Sequence, residues 1–130
     1  VEIGLLRSME LFAALPPPTL ESVARLLEPL TVEAGTAVVT QGEVGDRWYA
    51  IADGTLDVRR NGELLAELGR GQGFGEIALL RDVTRTATVT AQTTCSLFAL
   101  EGEHFLEAIT GHPHAVAEAE RVVEAHLATH

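Results

Sequence analysis

The chain has no lysine. All nine of its basic residues are arginine, set against nineteen acidic ones, for a formal net charge of −10. An acidic surface repels a phosphate backbone, which excludes unaided binding of nucleic acid or anionic lipid. It does not exclude one small phosphate, because a site is governed by its local field. The arginine bias is expected of a GC-rich bacterial genome. The lone cysteine, Cys95, rules out an intrachain disulfide. Aromatic residues are only 5% of the chain, so a core must come mainly from the Val, Leu, Ile and Ala within its 46% hydrophobic content. No apolar run approaches the ~20 residues that cross a bilayer, and no signal peptide is visible. The expected location is therefore cytoplasmic, including the cytosolic part of a membrane protein. A length of 130 residues suits a single domain. The start at Val1 and the short length lead us to expect a domain cut from a longer protein.

Three zones follow one another. Residues 1–30 read as a helical lead-in. Leu5, Leu6, Met9 and Phe12 form one apolar face, and Leu20, Val23, Leu27 and Leu30 another, both at helical spacing. Pro16, Pro17 and Pro18 separate the two segments, and Pro29 is expected to end the second. Residues 31–100 switch to short β-rich runs divided by glycine turns: Thr36–Thr40, Trp48–Ile51, Thr55–Arg59, Glu63–Leu68, Thr86–Ala91 and Ser96–Leu100. Such spacing predicts a β-sandwich or barrel. Asn61-Gly62 predicts a tight hairpin. Residues 101–130 return to helix, a short one over His104–Thr110 and a longer one opened by Pro113. On the longer one Val116, Ala119, Val122, Val123 and Leu127 share a side, with Glu118, Glu120 and Glu124 mostly elsewhere.

The chemistry concentrates in one stretch. Gly71, Gly73 and Gly75 permit close backbone approach and positive φ. Glu76–Leu80 then has the length of one helical turn. A glycine turn entering a helix points free N–H groups at one spot, where an anion can sit. Five residues past that turn comes Arg85, whose planar fork suits a phosphate, and Thr86 adds a hydroxyl donor. Glu76 would repel a phosphate unless its carboxylate accepts a sugar hydroxyl instead. An anion site beside an acceptor describes a ribose phosphate. The Gly-Lys-Ser/Thr ending of a triphosphate loop is absent, as is any magnesium-binding cluster.

Phe74-Gly-Glu-Ile-Ala-Leu-Leu80 and Arg85-Thr-Ala-Thr-Val89 together resemble the phosphate-binding cassette of the cyclic-nucleotide-binding domain family. Gly42, Gly45-Asp46, Tyr49, Ile51, Gly54, Leu56 and Val58 fit the same family's upstream hairpin pattern. Where the family often has proline before the arginine, this chain has Thr84. The resemblance implies a mainly β fold with flanking helices: a double-stranded β-helix, jelly-roll-like barrel over 31–100 with its cassette at 73–89, an amino-terminal helical lead-in, and carboxy-terminal hinge and lid helices over 101–130. It implies a regulatory module that binds cAMP, or cGMP, and performs no catalysis on it. Gly75 and Ala78 would give backbone contacts, Glu76 would accept the ribose 2′-hydroxyl, Arg85 would pair with the cyclic phosphate and Thr86 would donate to it. Phe74, Ile77 and Ala87 complete the cassette side, and Val58, Leu65 and Ala66 would line the base-side wall. Val122, Val123, His126 and Leu127 are candidates to cap the base. Occupancy would be relayed to an output domain outside this chain, with a homodimer as a further option. A domain of the same fold that serves only protein interaction or dimerisation is the alternative.

The other reactive residues read as structural. His104, His112, His114, His126 and His130 all lie outside the β region, so no metal site or other cofactor is expected. Cys95 and Trp48 are expected in the core. Arg59, Arg60, Arg70 and Arg81 are expected in surface ion pairs.

Overall fold

The structure, a computed structural model, describes residues 2–13, 15–111 and 113–129. Helices α1 (Glu2–Arg7), α2 (Glu10–Ala13) and α3 (Pro17–Leu26) lead into the first strand. The strands are β1 (Glu28–Val32), β2 (Ala37–Val39), β3 (Arg47–Asp53), β4 (Leu56–Arg60), β5 (Glu63–Leu68), β6 (Gly73–Phe74), β7 (Thr88–Ala91) and β8 (Cys95–Glu101). Helix α4 (Glu76–Leu80) sits between β6 and β7, and α5 (Gly102–Thr110) and α6 (Pro113–Thr129) close the chain. The strands form two antiparallel four-stranded sheets, ordered β1-β8-β3-β6 and β2-β7-β4-β5. This is an eight-stranded jelly roll with flanking helices, as the sequence led us to expect.

Strand β3 explains why the helices are there. Four consecutive residues, Trp48 to Ile51, are all buried. Side chains alternate along a strand, so Tyr49 and Ile51 enter the core between the sheets while Trp48 and Ala50 face the helices. A sheet buried on both faces needs a second apolar layer. Leu6, Met9, Phe12, Leu20 and Val23 supply it from α1 to α3, and Phe105 from α5. Trp48 stacks on Phe105 at 5.7 Å between ring centroids and meets the edge of Phe12 at 4.9 Å.

The helical lead-in is shorter than expected. The chain turns extended at Leu27 (φ −67, ψ 135), and Pro29 lies inside β1 instead of ending a helix. β1 is an edge strand, where a missing N–H is tolerated. Leu30 accordingly packs on the inter-sheet core and not on the face of α3. The apolar face of Leu5 to Phe12 is real but is carried by two short helices, broken after Arg7. The Asn61-Gly62 turn forms as expected, with both residues at positive φ (54 and 82). Gln41 pins it from β2's exit: Asn61 N–H donates to Gln41 Oε1 at 2.9 Å, and Gln41 Nε2 donates to Asn61 Oδ1 at 3.0 Å. Cys95 is buried in the inter-sheet core, as expected.

Trp48→Ala should lower the stability of the domain by about 3–5 kcal/mol, the cost of removing a large buried aromatic. Urea unfolding followed by circular dichroism measures this. A loss below about 1 kcal/mol would show that the helical layer collapses onto the vacated space.

Candidate functional site

The site is assembled by a left-handed turn and a buried arginine. β6 pairs Phe74 with Tyr49 of β3, and their rings stack at 5.1 Å. The next residue, Gly75, caps α4 at φ 103, ψ −8. A Cβ there would lie 2.9 Å from both the Arg47 carbonyl oxygen and Arg85 Nη1, so the position admits glycine alone. After α4 the chain turns back through Asp82 (φ 52) to Arg85.

Arg85 is 6% exposed. Its Nη1 donates to the Gly75 carbonyl at 3.1 Å and its Nη2 to the Arg47 carbonyl at 2.8 Å. Its backbone is clamped by the loop after β2: Gly42 N–H donates to Arg85 O at 2.9 Å, and Arg85 N–H donates to Glu43 O at 2.8 Å. Val44 bridges Thr84 beside it. Burial pulls the Arg85 pKa down, while Tyr49, Asp46 and Glu76 oppose that and Arg47 adds to it. A guanidinium nevertheless stays protonated in a protein. Glu76 is 1% exposed.

Arg85 and Glu76 line one cavity, with about 380 Å³ of empty space including its open mouth. Phe74, Gly75, Ile77, Ala78, Thr86, Ala87 and Val58 line it too, so most of the residues singled out in the sequence meet here. Leu65 and Ala66 do not. A bulge lets Ala66 pair with Val58 and Leu64 with Arg59, leaving Leu65 as the extra residue on an edge strand. Ala66 packs against the inter-sheet core from a half-buried position. The apolar wall is instead completed by Val39 of β2 and Val89 of β7. Val89 could have been read from the sequence, since Ala87 and Val89 share one face of an extended run. Val39 could not, because its strand joins only through tertiary pairing with β7.

The candidate capping residues lie elsewhere. Among the described residues, none from α6 lines the cavity. Ala115 and Ala119 seat α6 in the helical core, Val123 is fully buried, and half-buried Val122 packs on that same core. Leu127 is 42% exposed, and the side chain of His126 lies outside the described residues. Helix α6 is tied to the end of α4 by Arg81, whose Nη2 reaches Glu120 Oε2 at 2.8 Å and Glu124 Oε1 at 2.9 Å. Arg59 also forms an ion pair, with Asp57 at 3.5 Å. Arg60 and Arg70 do not follow that expectation: they donate to the carbonyls of Thr86 (3.2 Å) and Ala52 (2.5 Å). Among the described residues, no group of three or more His, Cys, Asp or Glu side chains could hold a metal ion. His112 and His130, and the side chain of His114, fall outside the described residues.

Residues 29–112 match the profile of the cyclic nucleotide-binding domain family. The chain belongs to that family. This cyclic nucleotide-binding domain is 38% identical over 104 residues to a cAMP-dependent protein kinase regulatory subunit of Yarrowia lipolytica, covering 78% of the chain and 28% of the relative. It is 39% identical over 101 residues to a cyclic nucleotide-gated potassium channel of Mesorhizobium japonicum, covering 78% and 28%. It is also 39% identical over 102 residues to the human potassium/sodium hyperpolarization-activated cyclic nucleotide-gated channel 3, covering 78% and 13%. The domain thus spans under a third of the length of these relatives. Its fold matches the regulatory domain of Toxoplasma gondii PKA, solved with cAMP, at a TM-score of 0.79 and 31% identity, over 82% of this chain and 42% of that one. The bacterial source expected from the arginine bias finds no support here, where relatives from Yarrowia lipolytica and human match as well as that from Mesorhizobium japonicum. No described helix is long and apolar enough to cross a membrane.

Gly45 was read only as part of a pattern, yet it has a defined physical job. A Cβ on it would lie 2.7 Å from Arg85 Cζ and Nε and 2.9 Å from Ala78 Cβ. Gly45→Ala should therefore push the guanidinium from its seat and cost about 1–3 kcal/mol in urea unfolding, as overpacking does. Gly4→Ala, with nothing within 4 Å of the new methyl, should leave stability the same or slightly higher.

Proposed function

We propose that this domain is a regulatory module that binds cAMP in the cavity of Arg85 and Glu76 and carries out no reaction on it. The observation that carries the reading is the joint burial of this cation and this carboxylate on one small cavity, behind a glycine turn at positive φ. The segment 73–89 is then the phosphate-binding cassette. Arg85 turns its remaining donors to the cyclic phosphate, a single charge for which one guanidinium and a few N–H groups suffice. The backbone at Gly75 and Ala78 and the Thr86 hydroxyl add to that contact. Glu76 accepts the ribose 2′-hydroxyl, as a carboxylate oxygen can. Val58, Val39 and Val89 form the apolar side toward the base.

The kinase regulatory subunit and channel relatives are much longer than this domain, which supports a role as one part of a larger cytoplasmic or membrane-attached protein. Occupancy would be relayed through α5 and α6 to an output domain. A ligand shifts such an equilibrium only by its differential affinity for the two arrangements. Thr86 also offers a donor and acceptor to guanine, so cGMP is the second ligand to test.

Calorimetric titration with cAMP, cGMP and AMP tests the reading. Saturable micromolar or tighter binding of a cyclic form, with little heat from AMP, is the expected result. Arg85→Ala should weaken binding by at least ~1.5–3 kcal/mol through loss of a charge-assisted pair, and Glu76→Gln by less. Unchanged affinity in a folded Arg85→Ala protein would sink the assignment of the pocket.

A further inference from the structure

We propose that Arg60 is a second cation of the nucleotide pocket, one that draws the phosphate in and holds Thr86 in place. This rests on the reading of the cavity as a cyclic-nucleotide site. Arg60 ends β4, two residues beyond Val58 and on the same face of the strand. Val58 lines the cavity. The Arg60 side chain is half-buried, and its Nε donates to the carbonyl of Thr86, itself a lining residue, at 3.2 Å. Among the described residues, that is the only hydrogen bond of its guanidinium, and no carboxylate lies within ion-pair distance. Its neighbour Arg59 is held by Asp57, and Arg81 by Glu120 and Glu124. Arg60 is thus a cation tethered at the pocket with donors to spare.

The charge balance of the pocket gives this cation a purpose. Arg85 and Glu76 are the ionisable side chains that line the cavity. A cyclic phosphate brings one more negative charge into a chain that already carries −10. The guanidinium of Arg85 is moreover engaged by two carbonyls. Arg60 adds a second cation beside the cavity through its contact with Thr86. Because it is only half-buried, it also presents its field to the approaching anion, where steering acts on the association rate and is screened by salt.

The test compares Arg60→Gln and Arg60→Lys with the wild-type domain. Calorimetry gives the cAMP affinity, and stopped-flow mixing with a fluorescent cAMP analogue gives the association rate, at low and at physiological ionic strength. We expect Arg60→Gln to weaken binding roughly 3- to 10-fold at low ionic strength, mainly through slower association, with the gap closing as salt rises. Arg60→Lys should keep most of the affinity, since it keeps the charge. Urea unfolding midpoints should stay together. Wild-type affinity in Arg60→Gln would overturn the proposal, as would an equal, salt-independent loss in both variants, which would mark a purely structural tether. A wild-type domain that binds no cyclic nucleotide would overturn the reading of the cavity and this inference with it.

Discussion

The site depends on one buried charge. Taking a guanidinium out of water is costly unless its donors find partners. Arg85 finds two backbone carbonyls, those of Gly75 and Arg47. These belong to the turn before α4 and to the start of β3, so a single side chain joins segments distant in sequence. Side chains would obstruct that union, which explains why glycine occupies both 45 and 75. The backbone of Arg85 is held in turn by Gly42 and Glu43. The buried cation of the cavity is therefore also a structural rivet.

Around that rivet the molecule solves a layering problem. β3 carries apolar side chains on both faces, so it sits at the boundary of two cores. One core is the interior of the jelly roll and the other is the space beneath the helices. Gly73 shows how tight the second is: a Cβ there would lie 2.6 Å from Trp48 Cζ2. Gly73 and Gly75 flank Phe74, so the strand that packs Trp48 runs directly into the turn that holds Arg85. β3 thus touches the helical layer on one side and, through the Arg47 carbonyl, the arginine of the cavity.

Much of this was legible in the sequence because the relevant residues are neighbours in it. Phe74 to Ala78 and Arg85 to Ala87 converge with only a short turn between them, so local spacing sufficed. The Asn61-Gly62 hairpin and the limits of β5 were legible for the same reason. What was hidden depends on partners far along the chain. Val39 reaches the cavity only because β2 pairs with β7. The amphipathic pattern of α6 declared a buried face but not which surface would bury it, and that proved to be α2 and α5 instead of the pocket. Leu65 and Ala66 were displaced by a bulge that a period of two cannot show. Pro29 was a true signal attached to the wrong element.

That proline has a consequence for the solution behaviour of the domain. An outermost strand offers a row of unpaired amides to any other extended chain, and stacking along such rows starts aggregation. β1 is an outermost strand of its sheet. Pro29, near its beginning, removes one donor from the row and interrupts the template. Glu63 and Glu67 place like charges along β5, the outermost strand of the other sheet. The domain thus guards a border of each sheet by different means, one by a missing hydrogen and the other by repulsion.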